Sequence, residues 1–412
     1  MFDDMYIIGV SVTPFGKHPE KSVKQLTETV CSESLADAKL DPKEVEAIWF
    51  SNTRQQMLEG QNTIRGQIAL QDCGFGGVPI INVENACASG SSAVWSAVAY
   101  MAATGANFTM AVGADKMFFP DKPDQMFAAF QGGTEVARVE ENSKFLASIG
   151  RELIPVGEEG GAARRSFFMD VYGAFARQHM LKFGTTQEQF AAASAKAHYH
   201  STMNPLSQYQ KDMSIEQVMN DKPIVYPFTR SMCAPISDGD AAAVIARGSA
   251  LTSEQKTRAI RLRSMAVTTA TKRELTDYEN HLGRRAALKA YEIAGIKPSD
   301  IDVVELHDAT AYAEIQQIEN LGLCGIGEGG PYTLSGATKL GGETVVNPCG
   351  GLMSKGHPVG ATGIAMLHEL VTQLRGDAGA RQVKGAKVAV AENGGGFLHV
   401  EEAVTIVSVL ST

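Results

Sequence analysis

The stretch Ala38-Lys39-Leu40-Asp41-Pro42-Lys43-Glu44-Val45-Glu46-Ala47-Ile48-Trp49 has a counterpart late in the chain, Ala294-Gly295-Ile296-Lys297-Pro298-Ser299-Asp300-Ile301-Asp302-Val303-Val304-Glu305. Each reads as a helix end, a proline-containing turn, a short acidic segment and an apolar strand. A duplicated supersecondary unit constrains a fold before any motif does. Further along, Asn85-Ala86-Cys87 is echoed by Asn347-Pro348-Cys349, and a glycine-rich turn and an apolar helix follow each. Apolar runs of strand length come next, Phe108 to Gly113 and Lys387 to Ala391. Two halves that each alternate strand and helix predict an α/β protein with two mostly parallel sheets, helices lying between and outside them.

Between the halves the pattern changes to polar helices with Met, Gln, Tyr and His, including Arg177-Gln178-His179-Met180 and Ala197-His198-Tyr199-His200. Ser237-Asp238-Gly239-Asp240 then returns to a small-residue turn and a buried strand. This divides the chain into a first half over 1–117 and 224–256, an inserted unit over 118–223, and a second half over 257–412. Phe118, Phe119, Met126, Phe127, Phe130 and Met169 of the insert read equally as cavity wall or plain core.

A chain of 412 residues, 44% of them hydrophobic, is ample for a large core. A formal charge of −9 argues against a broad surface for nucleic acid or anionic membrane, while leaving room for a small basic pocket. Six scattered cysteines, Cys31, Cys73, Cys87, Cys233, Cys324 and Cys349, lack the paired short spacings of zinc sites and read as reduced thiols. No metal is expected in this chain. The residues from Met1 to Pro14 suit a first strand better than a signal peptide, and no segment offers about 18 consecutive apolar residues. A soluble, cytoplasmic protein is the expectation.

Cys87 lies in Asn85-Ala86-Cys87-Ala88-Ser89-Gly90-Ser91-Ser92, directly before an apolar helix predicted from Ala93 to Met101. A thiol at a helix N-terminus meets unpaired N–H groups and the positive end of the dipole, which favour thiolate, as a nucleophile requires. Most free cysteines are packing residues, so the case rests on partners. His357 sits in Gly350-Gly351-Leu352-Met353-Ser354-Lys355-Gly356-His357-Pro358-Val359-Gly360, a constrained loop that suits a base or oxyanion donor. His307 and Asp308 end the apolar run Val303-Val304-Glu305-Leu306, where open α/β sheets place their sites. For Asp308 a helix cap is an even alternative. Glu392-Asn393-Gly394-Gly395-Gly396 follows the penultimate strand, and its N–H groups suit an oxyanion hole, although a triple glycine alone is a weak signal.

Together these motifs resemble the thiolase family, across nearly the whole chain. The His307-Asp308 start of the second motif is most similar to the sterol-carrier-protein type and its archaeal and bacterial relatives, benzoylsuccinyl-coenzyme A thiolase among them. The resemblance implies a thiolase fold of duplicated βαβαβ halves in a five-layer α-β-α-β-α core, with an inserted loop domain that covers the site and binds coenzyme A. It implies Cys87 as the acylated nucleophile, His357 as its base, His357 and His307 holding the thioester oxygen, and the N–H groups of Cys87 and Gly394 forming a second oxyanion hole. Acyl-coenzyme A and coenzyme A are then the substrates, a homodimer the family habit, and a small zinc-ribbon/OB-fold protein a further partner.

One departure stands out. Sterol-carrier-type thiolases carry a second cysteine as general acid/base where this chain has Ala309, and the other family position falls at Glu392 or Asn393. The proton at the α carbon then needs another group, with His357, His307 and Glu392 as candidates. The smaller Ala309 enlarges the pocket and suits a bulky or aromatic β-ketoacyl substrate. Two other readings follow from the same residues: a decarboxylating ketoacyl synthase, and a catalytically silent acyl-coenzyme A-binding subunit.

Overall fold

The computed structural model describes residues 1–158, 161–162 and 164–412. Its strands are β1 (Met5–Val12), β2 (Ala47–Ser51), β3 (Ile80–Val83), β4 (Phe108–Asp115), β5 (Pro223–Val225), β6 (Phe228–Thr229), β7 (Gly239–Arg247), β8 (Ile260–Thr269), β9 (Val303–Leu306), β10 (Val345–Val346), β11 (Val388–Gly395) and β12 (Val404–Ser411). The helices that build core and site are α1 (Val23–Ala38), α2 (Ser89–Thr104), α3 (Val139–Ser148), α4 (Phe167–Phe183), α5 (Gln187–Ser201), α6 (Leu282–Ala294), α7 (Ala311–Asn320) and α8 (Thr362–Arg375).

The repeat seen in the sequence is a repeat in space. α1 ends on Lys39 in a left-handed conformation and α6 on Gly295 in the same one. A one-turn 3-10 segment follows each, with a proline at its start: Pro42–Glu44, then Pro298–Asp300. Proline fits there because the first turn of a helix needs no N–H donor.

Strand order in the first half is β3-β2-β4-β7-β1 and in the second β10-β9-β11-β12-β8, the same arrangement twice. In each half only the fourth strand, β7 or β12, runs against the others. The expected two sheets prove to be hydrogen-bonded at their edges into one ten-stranded sheet, through Tyr6 opposite Arg261 and Ile7 opposite Ile260.

Alternation along the strands sets the layers, since successive side chains take opposite faces. In β2, Ile48 and Phe50 pack outward on Val30, Cys31 and Leu35 of α1, while Ala47 and Trp49 point inward. In the second half, Val304 and Leu306 pack outward on Ala286, Ala290 and Tyr291 of α6, while Val303 points inward. Both inner faces share one core with Ala97 and Val98 of α2 and Ile364 and Leu367 of α8. The layers therefore run α1, first half-sheet, α2 with α8, second half-sheet, α6. Each fully buried Ile, Leu or Phe in them contributes roughly 1.5–3 kcal/mol.

The central helices meet through glycine. A Cβ on Gly363 would lie 2.4 Å from the Oγ of Ser91 and 2.5 Å from its backbone nitrogen; one on Gly90 would lie 3.0 Å from the nitrogen of Ile364. Only residues without side chains let the N-termini of α2 and α8 come this close. Gly363→Ala is expected to cost about 1–3 kcal/mol through overpacking, read as a lowered denaturant midpoint, whereas Gly76→Ala, with no atom within 4 Å of the added carbon, should leave it unchanged.

Candidate active site

Cys87 sits in a turn held by its own small residues. Ala86 takes a left-handed conformation (φ 48°), Ser89 Oγ donates to the Ala86 carbonyl at 2.6 Å, and Asn85 Nδ2 donates to Ser92 Oγ at 2.9 Å. Gly395 presses on the turn so closely that a Cβ would meet the Cys87 nitrogen at 2.9 Å. The following helix begins at Ser89, earlier than the apolar pattern predicted, so Cys87 stands two residues before its first turn.

His357 comes from the other half. Its loop opens with Asn347, Gly350 and Gly351 at positive φ and a single π turn, Gly351–Lys355, a distortion common at functional sites. Residues of the first half then clasp it: the Ser237 hydroxyl accepts from the His357 N–H at 3.1 Å, and Asp115 accepts from the Gly360 N–H at 2.6 Å. The result is a distance of 3.3 Å between His357 Nε2 and Cys87 Sγ.

The tautomer follows from the partners. Thr362 Oγ1 donates its one proton to the Pro358 carbonyl at 2.9 Å, so it accepts from His357 Nδ1 at 2.7 Å. Nδ1 therefore carries the ring proton, and Nε2 turns a lone pair toward the thiol. Burial, with the charge of Arg54, pushes the His357 pKa well below its ordinary value, so the ring is neutral and ready to accept.

The sequence favoured a standing thiolate at Cys87, and here the balance goes the other way. Burial pushes its pKa up to about 11, against the opposing pull of the Arg54 charge and the Gly396 N–H that reaches the sulfur. Desolvation of a buried anion outweighs a helix terminus, whose effect fades within a turn. At rest Cys87 is a neutral thiol hydrogen-bonded to the neutral imidazole of His357.

His307 faces the same space, its ring centroid 5.1 Å from that of His357. Both its ring nitrogens are buried and without a hydrogen-bond partner, and burial lowers its pKa to about 4. A buried donor left unpaired in a cavity is a place for a ligand oxygen. Ala309 lines the cavity beside it.

The other predicted residues lie around this centre. Asp308 does not cap α7; Thr310 does, accepting from the Ala313 N–H, while Asp308 accepts from the Leu352 N–H at 2.7 Å and so pins the π turn of the His357 loop. Glu392 accepts from the backbone N–H of His307 at 3.2 Å and supports that residue from behind. Asn393 accepts from Ser91 Oγ at 2.9 Å, tying β11 to α2. Gly394 sits in the strand ladder opposite Thr405, and the N–H that reaches the sulfur is that of Gly396, two residues on. The glycine run blurred this register, because any of its amides satisfied the pattern.

Two residues escaped the sequence reading. Arg54 is buried, donates to the Ala129 carbonyl, stacks on Phe130 at 4.7 Å and bears on both Cys87 and His357. Tyr172 lines the cavity from α4. Neither belongs to a motif; only the fold brings them in.

The cavity in front of Cys87 has a volume of about 340 Å³. Phe118, Met126, Phe127, Phe130, Phe168 and Met169 wall it, and Lys17, Arg164, Arg165 and Arg230 also border it. Of the six insert residues left open by sequence, five are wall; Phe119 packs with Leu58 and Ala129 instead. Cys87, His307 and His357 are also, among the described residues, the group whose potential metal-ligand atoms lie within 4.8 Å of one another. An ion there would displace the thiol–imidazole hydrogen bond. No helix of the described residues is long and apolar enough to cross a membrane.

Comparison with known proteins shows the family. Residues 5–249 match the family model of the thiolase N-terminal domain, and residues 264–409 that of a thiolase C-terminal domain-like unit. Sterol carrier protein 2 of Oryctolagus cuniculus is 34% identical over 94% of this chain and 69% of its own length. Acetyl-CoA acetyltransferase of Methanothermobacter thermautotrophicus is 33% identical over 95% of this chain and 96% of its own. Benzoylsuccinyl-CoA thiolase subunit BbsB of Thauera aromatica is 30% identical, covering 92% and 91%. Among solved structures, an Ltp2-ChsH2(DUF35) aldolase superposes with a TM-score of 0.76 at 20% identity, over 99% of this chain and 98% of that one. Human mitochondrial 3-ketoacyl-CoA thiolase in complex with CoA gives 0.68 at 17%, with the same coverage.

A thiol raised to about 11 predicts that alkylation of Cys87 by iodoacetamide still accelerates at pH 10, where a free cysteine of ordinary pKa near 8.5 has levelled off. Thr362→Val, which frees His357 to take the wrong tautomer, should slow acylation of Cys87 about tenfold or more without changing the fold; both rates are read by mass spectrometry of the peptide bearing Cys87.

Proposed function

The chain belongs to the thiolase family, and from that premise we propose that it cleaves or forms β-ketoacyl-coenzyme A through an acyl group carried on Cys87. The observation that carries the reading is the Cys87–His357 pair, a neutral thiol 3.3 Å from the bare nitrogen of a neutral imidazole.

In thiolysis the sulfur attacks the β-carbonyl as Nε2 takes its proton. The oxygen that becomes negative is received by the free edge of His307 and by backbone N–H groups of the Cys87 turn and glycine loop. The bond between the α and β carbons breaks, and coenzyme A then collects the acyl group from the sulfur. Condensation is the reverse. Aldol cleavage needs no acyl-accepting sulfur, whereas here the sulfur is the group around which the site is built. The same consideration counts against a silent subunit.

The apolar wall of the cavity supports a bulky or aromatic acyl group. Lys17, Arg164, Arg165 and Arg230 border it with positive charge in an otherwise acidic protein and suit the phosphates of coenzyme A. A homodimer is part of the proposal: β3 ends the sheet with Ile81 exposed, an open edge that a second copy would cover. A small zinc-ribbon/OB-fold partner is the other association we propose, since the relative from Thauera aromatica is itself a subunit.

A panel of β-ketoacyl thioesters tests the reading. Aromatic members should be cleaved in a coenzyme A-dependent way with higher kcat/KM than acetoacetyl-coenzyme A, with an acyl adduct on the peptide bearing Cys87. Cys87→Ala should lower turnover about 10³-fold or more. Turnover without any adduct would sink the mechanism, and a preference for acetoacetyl-coenzyme A would sink the substrate class.

A further inference from the structure

The thiolase reading leaves one proton without a carrier. When the bond between the α and β carbons breaks, its electron pair stays on the α carbon, which must be protonated; in condensation the same carbon must lose a proton. Ala309 has nothing to give, and Glu392 stands behind His307, bonded to its backbone N–H. His357 is committed to Cys87, and His307 to the substrate oxygen.

Tyr172 lies where a carrier is needed. It is 7% exposed and lines the cavity together with Cys87, His307 and His357. A hydroxyl on a cavity wall can complete its hydrogen bonding with a ligand or a water. It also borders a second, smaller cavity of about 10 Å³, room for roughly one water molecule. Glu402 lines that void too, with Oε1 accepting from Gln317 Nε2 at 3.1 Å and Oε2 buried without a hydrogen bond. His281 Nε2 lies 3.4 Å from Oε2.

We propose that Tyr172 is the proton donor and acceptor at the substrate α carbon, supplied through one water in this void by the carboxyl of Glu402. Both groups are in the right protonation state to begin. Burial holds the phenol proton on, and burial raises the Glu402 carboxyl to about 7.

The step balances. Cys87 gives its proton to His357 and bonds to the β carbon; the bond between α and β carbons breaks toward the α carbon, which takes the phenolic proton. Tyr172 is restored through the water by Glu402, now a carboxylate. The incoming coenzyme A thiol returns a proton along the same route, and its thiolate takes the acyl group. Cys87 leaves as thiolate and recovers its proton from His357.

The inference rests on the thiolase reading, and α-proton exchange separates the two. Acylation of Cys87 by acetyl- or benzoyl-coenzyme A moves no α proton, whereas exchange of the methyl or methylene protons of acetyl- and succinyl-coenzyme A in D₂O, followed by NMR, moves nothing else. Tyr172→Phe should acylate Cys87 fully yet exchange about 100-fold more slowly, and Glu402→Gln should acylate normally and exchange about tenfold more slowly. Wild-type exchange in Tyr172→Phe, or equal losses of exchange and acylation, would overturn the role of Tyr172. Wild-type exchange in Glu402→Gln would overturn the relay. No acyl adduct on the wild-type protein would instead bring down the thiolase reading, and this inference with it.

Discussion

Two helix starts can approach to backbone contact only where neither carries a side chain, and at Gly90 and Gly363 neither does. Everything chemical in this protein hangs on that contact. α2 presents the Cys87 turn and α8 the His357 loop, so the spacing between helices becomes the spacing between sulfur and nitrogen. The contact also explains why the two halves must be rigid. A shift of an ångström there would open the 3.3 Å hydrogen bond on which deprotonation of the thiol depends.

Duplication supplied two candidate turns and made one of them reactive. Asn347-Pro348-Cys349 occupies the place in the second half that Asn85-Ala86-Cys87 holds in the first. Cys349 points away from the cavity and donates to Glu305 Oε2 at 2.9 Å. What separates the two is the longer excursion between the second cysteine and its helix, Gly350 to Ala361, which buries one thiol and sends His357 across to the other. The same excursion is anchored by Asp308 and Asp115, one from each half. Asp308, a candidate site residue in the sequence, thus serves with Asp115 as a fastener of the loop that carries His357.

How legible this was in the sequence follows from the range of each interaction. Repeat, strand periodicity and the order of elements are local properties, and they translated directly into two equivalent half-sheets and five layers. The Cys87, His307 and His357 positions were readable because each sits in a short motif with its own backbone constraint. The merging of the half-sheets through Tyr6 and Ile7 was not, because two backbone pairings leave no trace in side-chain pattern. Nor was the charge state of Cys87, which is decided by burial summed over many distant residues rather than by the helix end beside it. Tyr172 was hidden for a different reason. In α4 it is one apolar-spaced residue among Phe168, Val171 and Phe175, and helical periodicity cannot tell a core tyrosine from one whose hydroxyl opens on a cavity.

The chemistry and the cavity wall come from different parts of the chain, and this has a consequence for how the site works. Cys87, His357 and His307 are fixed by strands and helix starts of the two halves, where small shifts are penalised by close packing. Most of the wall comes from the segment between β4 and β7, which adds no strand to the main sheet. Wall residues there can change without moving the 3.3 Å pair. Tyr172 belongs to that segment but borders the glycine loop and Glu402 through the second void, so it joins the wall to the centre. Cys87, His307 and His357 rest uncharged, with the positive charge of Arg54 beside them. The low polarity of the apolar wall is what keeps the Cys87 thiol and the two imidazoles uncharged.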